Sequence, residues 1–179
     1  MDSQASKHLD WCLNKAKREI EDCKKQQKKI RHRGLLKIEP DKKLALGHLQ
    51  KARHNLEVFR LLRKNKFTDW PIAAVFYALY HCFLAIAVKH GYESKNQTCT
   101  IALIETLQEQ GKISINPDII NFMKYNEEEN NPRNSIIELR EDYTYGVDLE
   151  VKDKEQLDKI EKLCVEFIDF TKDIVYGGN

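Results

Sequence analysis

The sequence predicts an all-α protein: an up-and-down bundle of five to six helices with a long N-terminal helix. Three observations carry this. Apolar residues recur at spacings of three and four along the chain, no stretch alternates with period two between turn residues, and cap-forming residues precede the periodic runs. At 179 residues, with 41% hydrophobic and 32% charged, the chain can build one substantial core and is too apolar to be disordered. Only seven glycines and four prolines exclude a fibrous or linker-dominated architecture. A single domain over 1–179 is expected, with 1–34 as an added N-terminal helix and 41–176 as the core.

The first helix is carried by Leu9, Leu13, Ala16, Ile20, Cys23, Gln27 and Ile30, a narrow seam that runs to near Gly34. A loop at 35–40 follows. The second helix, about 41–65, has Leu49, Ala52, Leu56, Phe59 and Leu62 or Arg63 on its stripe. The third opens with Thr68 or Asp69 as N-cap, places Pro71 in its first turn where the missing N–H costs nothing, and ends at Gly91. Its apolar run, 70–88, approaches the length of a membrane span. It nevertheless contains Pro71 and His81 and is flanked by Asp69 and Lys89, and every other helix is amphipathic and needs an apolar partner. A buried central helix is therefore expected, with no membrane involved. The fourth helix, about 98–110, stops at Gly111. Asn116-Pro117 and Asn131-Pro132 open short helices near 117–126 and 132–143, with the acidic 127–131 as a solvated turn between them. Asp153 and Gln156 form a capping box for the last helix, which turns Leu157, Ile160, Cys164, Phe167 and Ile174 or Val175 inward.

The formal charge of +2 conceals an asymmetry. Residues 1–66 carry 19 Lys/Arg against 8 Asp/Glu, a net +11, and residues 67–179 carry 11 against 20, a net −9. Lys24, Lys25, Lys28, Lys29, Arg31 and Arg33, with Lys42 and Lys43, are expected at the ends of one hairpin of helices. Folded together they form a cationic corner that docks RNA phosphate or an acidic partner; left apart they are a solvated face. The interleaved aromatics of a single-strand stacking platform are missing there.

Several chemistries are excluded. Cys12, Cys23, Cys82, Cys99 and Cys164 are odd in number, widely spread and without a C-x-x-C pair, so neither a disulfide framework nor a zinc site is expected. A reducing, cytoplasmic setting follows, and the polar N-terminus lacks the apolar stretch of a signal peptide. The six histidines are scattered, so no metal is expected. With no P-loop and no dinucleotide fingerprint, no cofactor is expected, and a phosphate must be held by Arg, Lys or a helix N-terminus.

The densest polar segment is 133–146, RNSIIELREDYTYG. Arg133 and Arg140, seven apart, lie on nearly the same helix face, among Glu138, Glu141, Asp142, Tyr143 and Tyr145. An Arg at a helix end beside tyrosines can grip a phosphate bidentately; equally, it can close a helix-terminal ion pair beside two core tyrosines. On the central helix Tyr77, Tyr80 and His81 are added, and a buried, hydrogen-bonded His81 competes with one that faces a ligand.

Two of these stretches carry a resemblance. The segment 73–107, AAVFYALYHCFLAIAVKHGYESKNQTCTIALIETL, followed by ELREDYTYG at 138–146, resembles the HEPN (higher eukaryotes and prokaryotes nucleotide-binding) superfamily over about 41–176. The resemblance implies an all-α up-and-down bundle, a homodimer, and a minimal nucleotidyltransferase partner in a toxin–antitoxin-type system. Active members of that superfamily place an Arg and a following His as a metal-independent endoribonuclease site across the dimer. Arg140 would take the place of that arginine, with Tyr145 or thereabouts where the histidine belongs. Arg133-Asn134 also matches the start of the motif, but Leu139 and Arg140 stand where its histidine would follow. The loop 94–98 likewise has Asn96 or Gln97 where many relatives carry a His.

The missing histidine matters because RNA cleavage needs a group to take the 2′-OH proton. Imidazole, with a pKa of about 6.5, suits that task, and tyrosine, at about 10, does not. The leading expectation is a protein that binds nucleotide or RNA phosphate through Arg133, Arg140, Tyr145 and His81, with little or no ribonuclease activity. One alternative is an active endoribonuclease toxin using Arg140 with Tyr143 or Tyr145. The other is a non-enzymatic module docked by its charged halves.

Overall fold

The computed structural model describes residues 3–125, 135–151 and 153–177. Among them are seven helices and one two-stranded sheet: α1 (Gln4–Lys25), β1 (Leu35–Lys37), α2 (Lys42–Lys64), α3 (Trp70–Lys89), β2 (Tyr92–Ser94), α4 (Gln97–Glu109), α5 (Pro117–Phe122), α6 (Ile136–Tyr145) and α7 (Lys154–Tyr176). The architecture is the expected all-α bundle with a long first helix.

α3 is the centre. Phe76, Leu79, Phe83 and Ile86 are essentially inaccessible to solvent, and the helix packs against α2, α7, α6 and α4. Its 20 residues meet the length of a membrane span, but most of that run is buried within the fold. Phe83 meets Phe167 of α7 edge to face, with centroids 5.4 Å apart. Outside the core, Arg60 and Arg63 of α2 clamp α7. Arg63 reaches Glu161 at 2.8 Å and Asp158 at 2.7 Å, and Arg60 reaches the same Glu161 at 2.8 Å.

The caps follow the sequence closely. Asp153 accepts from the Gln156 backbone N–H, Asn96 from Cys99 N–H and Ser3 from Ser6 N–H. α3 differs, because Asp69 holds the N-cap position without a side-chain bond and Thr68 instead accepts from Val151 N–H. α6 starts at Ser135, which caps Ile137; the Asn131-Pro132 start and the 127–131 turn lie outside the described residues.

Three expectations are corrected. The first helix ends at Lys25 and does not continue to Gly34: Gln27 adopts φ +50°, and Lys28 N–H closes on the Cys23 carbonyl at 2.9 Å. Ile30 is consequently exposed and off the seam, which consists of Leu9, Cys12, Leu13 and Ala16. Second, α1 packs on α4 and β1, so the expected hairpin of α1 with α2 is replaced by a long-range docking. Third, the 35–40 loop contains β1, which pairs antiparallel with β2 in the register Leu35↔Ser94 to Lys37↔Tyr92. Three residues are too few to register as alternation.

Two glycines make these returns possible. A Cβ on Gly34 would lie 2.4 Å from the Cys12 carbonyl oxygen and 3.1 Å from the Ala16 Cβ, so only glycine lets the chain cross α1 this closely. Gly91 ends α3 at φ +81° and accepts from Ile38 N–H, which starts the sheet.

Candidate functional site

Arg140 lies on the inner side of α6, and its guanidinium covers the Phe76 ring of α3 at 4.3 Å from the centroid. Its side chain is 19% exposed, and its Nη2 is 3.2 Å from Glu141 Oε1. Tyr125 donates its hydroxyl proton to that same Glu141 oxygen. This bond to a carboxylate, followed by burial, pushes the Tyr125 phenol above its usual range.

From Phe76 the contacts continue into the other stretch singled out in the sequence. Tyr80 stacks on Phe76, with centroids 6.1 Å apart and planes within 9°. The Tyr80 hydroxyl is 3.2 Å from Thr100 Oγ1, which in turn lies 2.7 Å from Ser94 Oγ and 2.8 Å from the Asn96 carbonyl oxygen. Burial raises the Tyr80 phenol, so it stays protonated and serves as a hydrogen-bonding group. One continuous line of contacts thus joins Arg140, Phe76, Tyr80, Thr100 and the 94–96 loop.

The remaining sequence-derived residues are dispersed. His81 is five residues beyond Phe76, about 140° round the helix, and meets His48 of α2 with 3.0 Å between the two Nδ1 atoms. Burial first, then His48 and Lys51, lower His81 to about 4, and burial lowers His48. The pair is therefore neutral at pH 7, one ring donating to the other. Tyr143 packs against the main core, whereas Tyr145 is 81% exposed. Arg133 lies outside the described residues.

The end of α6 opens into a cavity of about 830 Å³, lined by Tyr143, Tyr145, Gln156 and five carboxylates: Glu141, Asp142, Asp148, Glu150 and Asp153. Its five carboxylates give it a field that repels a polyanion. The basic residues lie elsewhere. Lys24 and Lys25 end α1, and Lys28, Lys29, Arg31 and Arg33 follow on the exposed return towards β1. His32 in that return is buried, 3.4 Å from Glu93, and the Arg33 backbone N–H donates to Glu19.

The cysteine expectation is overturned. Cys12 of α1 and Cys99 of α4 form a disulfide across 87 residues of sequence, and both are fully buried. Their spacing carries no motif; only the docking of α1 on α4 brings them together. His8 lies beside them, one helical turn before Cys12. Cys82 and Cys164 are buried, and burial pushes Cys82 up to about 12 and raises Cys164 as well, which leaves both chemically quiet.

Compared with known proteins, residues 45–174 match the model of the HEPN domain family. The match starts within α2, after α1 and β1. No curated protein matches the chain.

Proposed function

The chain belongs to the HEPN domain family, and from that membership, which ties it in general terms to nucleotide or RNA, we propose that it binds nucleotide or RNA phosphate at Arg140. The observation that carries this reading is the setting of Arg140. Phe76 and Glu141 hold its planar guanidinium in place, and among described contacts only one of its five N–H donors is committed to Glu141. A guanidinium fixed in advance loses little side-chain freedom when it grips a phosphate.

Cleavage is a different matter. No histidine is among the residues around Arg140 described above, and the phenols there, Tyr125 and Tyr80, are pushed further from service as a base at neutral pH. Tyr145, exposed at the mouth of the cavity, offers a hydroxyl for hydrogen bonding. The reading is therefore a binding protein with weak or no ribonuclease activity. It would act as a cytoplasmic homodimer with a minimal nucleotidyltransferase partner, its exposed Lys24–Arg33 surface steering RNA towards the molecule. α1, outside the family match, is read as an addition to the domain.

The test is retention of labelled ATP, GTP and a short RNA at low salt, with and without Arg140→Ala. Retention that falls at least tenfold in the variant supports the reading. No retention by the wild type, with no effect of the substitution, ends it.

The five-carboxylate cavity favours a second reading, in which the acidic end docks a basic partner and no nucleotide is involved. That reading expects an assembly that dissolves as salt rises and is indifferent to Arg140→Ala.

A further inference from the structure

We propose that His8, Cys12 and Cys99 form a redox-controlled site for zinc or a similar thiophilic divalent cation, with the disulfide as its closed state. The ligand atoms of the three side chains lie within 4.8 Å of one another, the two sulfurs at bonding distance in the disulfide, so the cation enters only after that bond opens and the sulfurs separate. Tetrahedral zinc holds sulfur at about 2.3 Å and imidazole nitrogen at about 2.0 Å, which places neighbouring ligand atoms roughly 3.5–4 Å apart. His8 and Cys12 project from the same face of α1, four residues apart, so one rigid helix presents two ligands together. Cys99 comes from the facing helix, and a cation there would join α1 to α4 as the disulfide does.

The position of Cys99 favours the thiolate that a metal needs. It is the third residue of α4, in the first turn, where the helix dipole stabilises negative charge. The same placement makes Cys99 the better leaving group when the disulfide is attacked at Cys12. A disulfide that opens under reducing conditions would leave α1 undocked, and a cation held by the dithiol would keep α1 joined to α4.

The exchange balances with a cellular dithiol as reductant. Its thiolate attacks one sulfur of the pair, the Cys12–Cys99 bond breaks, and its second thiol resolves the mixed disulfide. The reductant leaves oxidised by two electrons, and Cys12 and Cys99 are left as thiols. The cation then displaces their two protons to solvent, His8 supplies the neutral nitrogen, and the fourth position is open to water.

The experiment uses the full chain, stripped of metal, either reduced with a phosphine or left oxidised, and titrated with Co²⁺ and then Zn²⁺. The reduced wild type is expected to take up one equivalent, with the absorption of cobalt–thiolate bonds that Zn²⁺ then bleaches. The oxidised chain takes up none. Cys12→Ala and Cys99→Ala lose the site by at least a hundredfold, and His8→Ala, on a partly exposed residue, weakens it about tenfold. If a cysteine variant fails to fold, the comparison of His8→Ala with the oxidised wild type decides alone. The proposal is overturned if the folded, reduced wild type binds no more Co²⁺ than the oxidised chain, if His8→Ala binds as tightly as wild type, or if the disulfide survives excess dithiol in the folded protein.

Discussion

The Arg140 guanidinium rests on the Phe76 ring, 4.3 Å from its centroid, so a cation of the acidic half is held against the central helix. Such a contact contributes about 1 kcal/mol where water is partly excluded, and the ion pair with Glu141 adds less than that. Arg140→Ala should therefore lower stability by only about 1–2 kcal/mol while removing most nucleotide or RNA retention. Arg140→Lys keeps the charge but loses the planar fork, and should fall between the two in binding. Urea titration beside fluorescence anisotropy separates these effects. Binding loss that merely tracks unfolding would make Arg140 a structural residue.

The His48–His81 pair should set an acid limit on stability. His81 is lowered from the ordinary 6.5 to about 4, mainly by burial, and His48 is lowered in the same direction. Below pH 6.5 the unfolded chain takes up protons that the folded one refuses. The contribution is thus complete above about pH 6.5 and is lost as pH falls towards 4. After discounting for partial exposure, the loss is on the order of 2 kcal/mol. The urea midpoint of wild type should drop more steeply between about pH 7 and 4.5 than that of His81→Asn. Parallel curves would show that this pair does not control the acid limb.

Gly34→Ala tests the crossing of β1 over α1. The added Cβ would sit 2.4 Å from the Cys12 carbonyl oxygen and 3.0 Å from the Ala16 backbone nitrogen. Both are backbone atoms of a packed helix, so neither can move alone, and a cost of about 2–4 kcal/mol is expected. Gly47, with nothing within 4 Å of its Cβ position, is the control: Gly47→Ala on exposed α2 should be neutral or stabilising by about 0.5–1 kcal/mol. Thermal melts of the two variants that shift alike would contradict this account of Gly34.

What the sequence revealed and what it hid divide by distance along the chain. Helix periodicity, the Asp153 cap, Pro71 and the stop at Gly91 are local, and each holds in the fold. The end of α1 was misplaced because Gln27, an ordinary residue, takes a left-handed φ that no composition signal marks. The docking of α1 on α4, the β1–β2 pairing and the Cys12–Cys99 bond join residues 55 or more positions apart, and single-chain periodicity does not encode them. At the candidate site, Arg140 is proposed from its segment, and the structure adds what lies under it. Its partner Phe76 was not legible, because a core phenylalanine and a cation platform look identical in sequence.

The basic return between α1 and β1 gives the last prediction. Lys28, Lys29 and Arg31 are exposed, and in the described contacts the two carboxylates at this return, Glu19 and Glu93, meet the Arg33 backbone N–H and His32 rather than those three side chains. If this surface steers RNA, each contact with a phosphate releases a counterion, and the dependence of log affinity on log salt carries about 0.7 per contact for single strands. Replacing the three by Gln should flatten that slope by about 2 and slow association, without changing which RNA is preferred. Arg140→Ala should do the reverse, with a large loss at every salt concentration and a slope change below about 1. Anisotropy titrations between about 50 and 200 mM salt distinguish the two. An unchanged slope in the triple variant would assign the basic return to solvation or to a protein partner, leaving Arg140 as the phosphate contact on its own.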